Sequence, residues 1–160
     1  MATKPDVGEI KASQHYFSLR IYLEDTDAGG IVYHSNYLKF MERARTDFLR
    51  LMGISHKEMM NGPNPAMFAV KSLAVEYRLP ARLDDSLEVR SRLRQIGGAS
   101  FALDQKIWRG DQEICEARVR LALLDHNGRP SRMDLALGKK LKILLVGEAL
   151  GKRGIDQDAD

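Results

Sequence analysis

Three carboxylates crowd the seven residues Glu24-Asp25-Thr26-Asp27-Ala28-Gly29-Gly30, and two glycines close the run. Composition alone reads this as a polar strand-to-helix loop. A calcium loop is a second reading, and it fails on ligand count. Counting from Asp25 puts Gly29 at position five and Asn36 at position twelve, where a bidentate Glu is needed. The third reading is a reactive carboxylate facing the start of a helix. Unpaired N–H groups and a partial positive charge at a helix N-terminus can hold a developing oxyanion. An Asp beside them can attack a carbonyl or activate water. Spacing makes this third arrangement available without selecting it.

The elements around the loop supply the required parts. Phe17, Leu19 and Ile21 alternate with Ser18, Arg20 and Tyr22, which predicts a strand over about His15–Leu23. Beyond the loop, Tyr37, Met41, Ala44, Phe48 and Leu51 recur at spacings of four and three, on one face of a helix. That helix is expected to start between His34 and Asn36, with Ser35 or Asn36 as N-cap and Gly53 ending it. A short turn or helix over Ser55–Asn61 leads to the breaker Gly62-Pro63-Asn64-Pro65.

The chain then reads as consecutive strands: Leu73–Leu79 ending at Pro80, Leu87–Arg94, Phe101–Trp108 and Cys115–Leu123. Gly97-Gly98, Arg109-Gly110-Asp111 and Gly128–Pro130 supply turns. Leu135–Val146 reads as a C-terminal helix. One helix followed by a run of antiparallel strands is an α+β order, not alternating βαβ. Residues 1–13 are expected to form a flexible lead-in, 14–150 one domain, and 151–160 a flexible tail.

The chain has 160 residues, 44% hydrophobic and 29% charged, which excludes a wholly disordered chain and suits one domain. Cys115 is the single cysteine, so an internal disulfide and a multi-cysteine metal site are excluded. No apolar run reaches the ~18–20 residues of a membrane helix, and the first residues lack the apolar core of a secretory signal. A cytoplasmic protein without an integral membrane segment is therefore expected. A formal charge of +3 is mild, and no aromatic-rich basic motif accompanies it, so no nucleic-acid partner is expected.

The stretch Tyr22–Tyr37, continuing through Phe40-Met41-Glu42-Arg43-Ala44-Arg45, resembles the signature of hot-dog-fold acyl-CoA thioesterases. It is similar to the YbgC-type branch, associated with the Tol-Pal system, and to the 4-hydroxybenzoyl-CoA thioesterases. The likeness extends to Val75-Glu76-Tyr77, Pro80–Asp85 and Gly98-Ala99-Ser100-Phe101, over roughly residues 15–125.

The resemblance implies a curved antiparallel sheet wrapped around one long central helix. It implies hydrolysis of an acyl-CoA, with acyl carrier protein as an alternative thiol carrier, by a homodimer or homotetramer with sites at subunit interfaces. No cofactor and no metal are implied. Asp27 is the implied nucleophile or general base, and the backbone N–H of His34 the implied oxyanion donor. The His34 side chain is a further candidate, standing where the hydroxybenzoyl branch has Tyr. Gly29, Gly30, Val32 and Tyr33 are the expected substrate-binding residues. Many YbgC-type members carry Tyr where this chain has Leu23, which removes one polar contributor.

Other residues carry weaker expectations. Glu42 is expected to make surface or interfacial ion pairs with nearby arginines. Arg90, Arg92 and Arg94 share one strand face, and Arg118 and Arg120 another. They read either as charges paired with neighbours such as Glu88 and Glu116 or as a coenzyme A phosphate site. Ser100 is expected to start a strand, and Cys115 to be a buried, inert thiol.

Overall fold

The computed structural model describes the backbone of residues 7–155 and the side chains of 7–145. In chain order it contains β1 (Glu9–Lys11), β2 (Gln14–Arg20), α1 (Asn36–Leu51) and α2 (His56–Asn61). There follow β3 (Ala66–Tyr77), β4 (Ser86–Ile96), β5 (Ser100–Arg109), β6 (Gln112–Asp125) and α3 (Leu135–Ile155). The strands form one antiparallel six-stranded sheet in the order β1-β2-β4-β5-β6-β3. The α+β hot-dog arrangement expected from the sequence is the one observed: the sheet's apolar face packs on α1.

Period-two alternation in β4, β5 and β6 places Leu87, Val89, Leu93, Phe101, Leu103, Ile107, Cys115, Ala117, Val119 and Leu121 in the core. From α1, Tyr37, Phe40, Met41, Ala44 and Phe48 meet them. Full burial of each large side chain is worth about 1.5–3 kcal/mol. Leu51, expected on the buried stripe, is 40% exposed, while Phe40 and Leu49 are buried. A curved sheet covers the helix over a wider arc than a flat layer, so the buried stripe is broader than one line of side chains. The helix ends as expected: Gly53 adopts φ +79°, with Gly53 N–H on Arg50 O and Ile54 N–H on Leu49 O.

Some boundaries differ from the sequence reading. β2 stops at Arg20 rather than Leu23, because Tyr22 N–H is taken by the Asp25 carboxylate and Leu23–Asp25 wind into a 3₁₀ turn. β3 starts at Ala66 and ends at Tyr77, since Arg78 and Leu79 N–H both turn to Ile114 O. The α3 backbone continues past Val146 to Ile155; glycine weakens a helix but does not block it as proline does. β1 lies within the segment expected as a lead-in, while residues 1–6 and 156–160 fall outside the described residues. Among the described residues no helix is long and apolar enough to cross a membrane.

β1 owes its place to a buried polar cluster at the C-terminal half of α1. His15 Nε2 lies 2.7 Å from Asp47 Oδ2, and both side chains are buried. Gly8 N–H donates to the same oxygen at 3.0 Å. A Cβ on Gly8 would collide with Tyr16 O, the Asp47 carboxylate and the His15 ring, so only glycine fits there. The His15 ring stacks on Phe48 at 5.0 Å, and its Nδ1 has no partner. In the neutral ring, Nε2–H donates to Asp47 and Nδ1 is a bare acceptor. Protonation would create a second buried donor with nothing to bond.

Burial therefore holds the His15 pKa below its ordinary value, against the Asp47 hydrogen bond and charge that raise it. The unfolded chain then binds more protons than the folded one as pH falls below ~6.5, and stability is lost on acidification. The Tm is expected to fall between pH 7 and 5, and His15→Gln to flatten part of that slope. His56, also depressed by burial, supplies a further part. Thermal melts of both proteins across this range test it; an equal slope in the variant would remove His15 from the account.

Candidate active site

The loop before α1 is a compact hairpin. Tyr33 N–H donates to Asp25 O at 3.0 Å, Thr26 bridges Val32, and Asp27 N–H donates to Ile31 O at 2.9 Å. Gly30 N–H closes the tip onto Asp27 O at 3.0 Å, with Gly30 at φ +78°, the left-handed region that glycine enters without a Cβ penalty. Two further contacts fix the hairpin to the sheet: Val32 N–H donates to Ala81 O, and Ile31 bridges Arg82. Val32 is the buried foot of this loop, whereas Gly29, Gly30 and Tyr33 are exposed.

Asp27 stands on the outgoing leg with its side chain exposed. Its Oδ1 accepts the Gly29 N–H at 2.8 Å, a bond that orients the carboxyl group and leaves Oδ2 without a donor among the described residues. A side chain at residue 29 would bring its Cβ within 3.1 Å of that same Oδ1. Glycine here keeps the carboxylate uncrowded.

The returning leg enters α1 through a turn over Tyr33–Asn36, closed by Asn36 N–H on Tyr33 O at 2.9 Å. Its central N–H groups, those of His34 and Ser35, have no hydrogen-bond acceptor in the described chain. Ser35 is the N-cap, but its side chain makes no capping bond. Asn36, offered by the sequence as an alternative cap, is instead the first helical residue. Its buried amide donates to Asp25 O at 2.9 Å and so ties α1 to the outgoing leg. Asp27 and His34 are thus held on the two legs of one hairpin, and no hydrogen bond joins their side chains.

A cleft of about 240 Å³ opens beside this turn, lined by Val32, His34, Tyr37, Tyr77, Leu79 and Pro80 among others. The His34 ring meets Tyr33 edge-on at 4.6 Å and Tyr77 at 6.4 Å. Tyr77 OH donates to His34 O at 3.0 Å. Tyr37 OH accepts the Ala81 N–H at 2.9 Å, and burial pushes its phenol pKa up. Tyr37 and Tyr77 stand within the motifs that carry the resemblance, but the sequence assigns neither a role. One reads as helix core and the other as strand alternation, and Tyr77 lies 43 residues from the carbonyl it bonds.

The remaining candidates resolve into structural roles. Glu42 is exposed on α1 and makes no ion pair among the described residues of the single chain, though its charge favours the charged form of Arg45. Arg90 pairs with Glu88 at 2.7 Å and stacks over Trp108, while Arg94 and Arg118 share Asp104. Arg92 and Arg120 donate to Gln14 and Gln95. Glu116 pairs with Arg78 rather than with the stripe. Ser100 opens β5. Cys115 is fully buried and its thiol is pushed up to about 12 by burial, which makes it unreactive. No group of three or more His, Cys, Asp or Glu able to hold a metal occurs among the described residues.

Comparison with known proteins places this geometry. Residues 21–142 match the model of the thioesterase-like superfamily. The chain is 40% identical over 109 residues to the acyl-CoA thioesterase YbgC of Haemophilus influenzae, covering 68% of this chain and 79% of the relative. It is 41% identical over 108 residues to the acyl-CoA thioester hydrolase YbgC of Escherichia coli O6:H1, covering 67% and 79%. The crystal structure of the "Probable Thioesterase from Bartonella henselae" superposes with a TM-score of 0.74 at 34% identity, covering 76% of this chain and 99% of that one.

The Asn36 amide is the side-chain link between α1 and the outgoing leg. Asn36→Ala is expected to lower unfolding stability by about 1 kcal/mol, the net worth of a buried hydrogen bond. A urea unfolding midpoint identical to wild type would show that the backbone bonds of the hairpin suffice without it.

Proposed function

The chain belongs to the thioesterase-like superfamily and is a thioester hydrolase of the YbgC type, and on that premise we propose that it cleaves an acyl-CoA at the hairpin carrying Asp27. The products are a carboxylic acid and free coenzyme A. One observation carries the assignment to this hairpin. It presents an exposed carboxylate with one unbonded oxygen and, on its other leg, two N–H groups without an internal acceptor.

In the proposed reaction the thioester carbonyl lies against the His34 and Ser35 N–H groups, which hold the negative charge that develops on its oxygen. Asp27 acts as general base or as nucleophile. As base, it takes a proton from water while the water oxygen bonds to the carbonyl carbon. The tetrahedral intermediate then expels the coenzyme A sulfur, which leaves with a proton. As nucleophile, its free oxygen bonds the carbon directly, the thiolate leaves, and water cleaves the resulting anhydride. Gly29 and Gly30 admit the substrate close to the backbone, Tyr33 borders the turn, and Val32 anchors the leg beneath it. The His34 imidazole, in the cleft wall, orients the acyl group.

The same reading includes a homodimer. β3 is an edge strand of the sheet, and it exposes Met67, Val70, Leu73 and Tyr77. An apolar edge with unpaired backbone groups is a surface that folded proteins normally cover. A second copy of the chain, paired along β3, would cover it and close the cleft beside Tyr77.

Asp27→Asn keeps the shape and removes the charge. It is expected to fold normally and to lose at least ~10²-fold in kcat, the scale of a positioned base. Free-thiol release from a panel of acyl-CoAs, with wild type and variant side by side, is the direct measurement. Full turnover by a folded Asp27→Asn protein would sink the assignment.

A further inference from the structure

The two N–H groups proposed to meet the substrate belong to two successive peptide groups. The carbonyl of each peptide is already engaged. Tyr33 O, which shares a peptide with the His34 N–H, accepts the Asn36 N–H at 2.9 Å. His34 O, which shares a peptide with the Ser35 N–H, accepts the Tyr77 hydroxyl at 3.0 Å. The first of these bonds is backbone to backbone and belongs to any turn of this kind. The second is made by a side chain from the far end of β3, and nothing in the local chain supplies it.

Resting on the reading of the site given above, we propose that Tyr77 is a positioning residue for the thioester reaction: its hydroxyl fixes and polarises the His34–Ser35 peptide so that the Ser35 N–H points at the substrate oxygen. A donor on the carbonyl of a peptide draws electron density toward that oxygen and makes the N–H on the other side a stronger donor. It also holds the peptide plane against rotation, and an oxyanion donor is effective only when it is aimed before the charge develops. Ser35 lacks a side-chain capping bond, so little else restrains that plane.

The surroundings of Tyr77 suit the role. Its ring packs edge-on against Tyr37 at 5.5 Å and His34 at 6.4 Å, so its hydroxyl is aimed from two sides. Tyr77 is the last residue of β3 and pairs in register with Cys115, so its Cα is part of the sheet rather than of a loop. Burial raises its phenol pKa, so the hydroxyl stays protonated and donating. A rigid strand thus reaches across the chain to hold one peptide of the helix entrance.

Tyr77→Phe keeps the ring and removes only the donor. With the best acyl-CoA, kcat is expected to fall about tenfold, below the 10²–10³-fold cost of deleting an oxyanion donor outright, while KM stays within about twofold. In a ¹H–¹⁵N spectrum the Ser35 amide proton should shift upfield, because its peptide loses polarisation. That shift is read without substrate and does not depend on the role of Asp27. An unchanged kcat in a folded Tyr77→Phe protein would overturn the inference. So would a rise in KM alone, which would make Tyr77 a wall of the acyl cleft, or an unmoved Ser35 resonance.

Asp27→Asn in the same assay separates the two levels of the argument. An inactive Asp27→Asn beside a fully active Tyr77→Phe removes only the role of Tyr77. A fully active Asp27→Asn removes the reading of the site as well.

Discussion

A helix wrapped by a curved sheet cannot keep all of its polar side chains on its solvated face. In α1, Asn36, Arg45 and Asp47 all lie buried, and each needs a partner that the helix cannot provide. The partners come from three places at three levels. Asn36 at the entrance bonds the carbonyl of Asp25. Arg45 in the middle donates to Gln105 of β5, which in turn bonds Met41 O and Ser91. Asp47 near the far end takes His15 of β2 and the N–H of Gly8. Apolar packing brings helix and sheet together, but it is indifferent to small slides along the axis. These three polar contacts fix the axial position, because each is satisfied in only one register.

The site inherits this precision. Its hairpin is tied to α1 by Asn36 and to the segment before β4 by Val32 and Ile31, so both ends of the reacting group are referred to the same rigid body. The exposed part is small: a carboxylate, a turn and a short cleft. Rigidity is supplied by buried neighbours, and access by the exposed tip of the loop. The proposed acid-base chemistry and the protein's stability therefore draw on different residues. Two buried groups that resist protonation or ionisation, His15 and Cys115, are structural.

Much of this was legible in the sequence. The alternation of β4 and β6, the helical spacing of Tyr37, Met41, Ala44 and Phe48, and the glycine at 53 each follow a local rule, and the structure obeys it. The loop was legible too, because aspartates and glycines crowd a few consecutive residues, but its pairing into a hairpin was not. What escaped were contacts between residues far apart in sequence. Nothing near His15 announces Asp47, nothing near His34 announces Tyr77, and nothing near β1 announces that Gly8, just before it, reaches that buried carboxylate. Leu51 was misplaced because helical spacing identifies a stripe but not how far along the axis the cover extends, and Leu51 is the last residue of α1. The arginine stripes and the Glu88 partner of Arg90 were visible in the sequence, and only the facing strand could show that Asp104 answers Arg94 and Arg118.

In the proposed reaction the donors at the helix entrance are main-chain groups, and that would set the terms on which this protein can change over evolutionary time. Every residue except proline supplies an N–H, so positions 34 and 35 can exchange side chains freely without dismantling the electrostatics of the turn. Variation there alters what is recognised while leaving the charge-stabilising part intact. A lineage built on this hairpin can drift toward new acyl groups by small steps, each passing through an active intermediate. An enzyme whose oxyanion donors were side chains would lose function on the way.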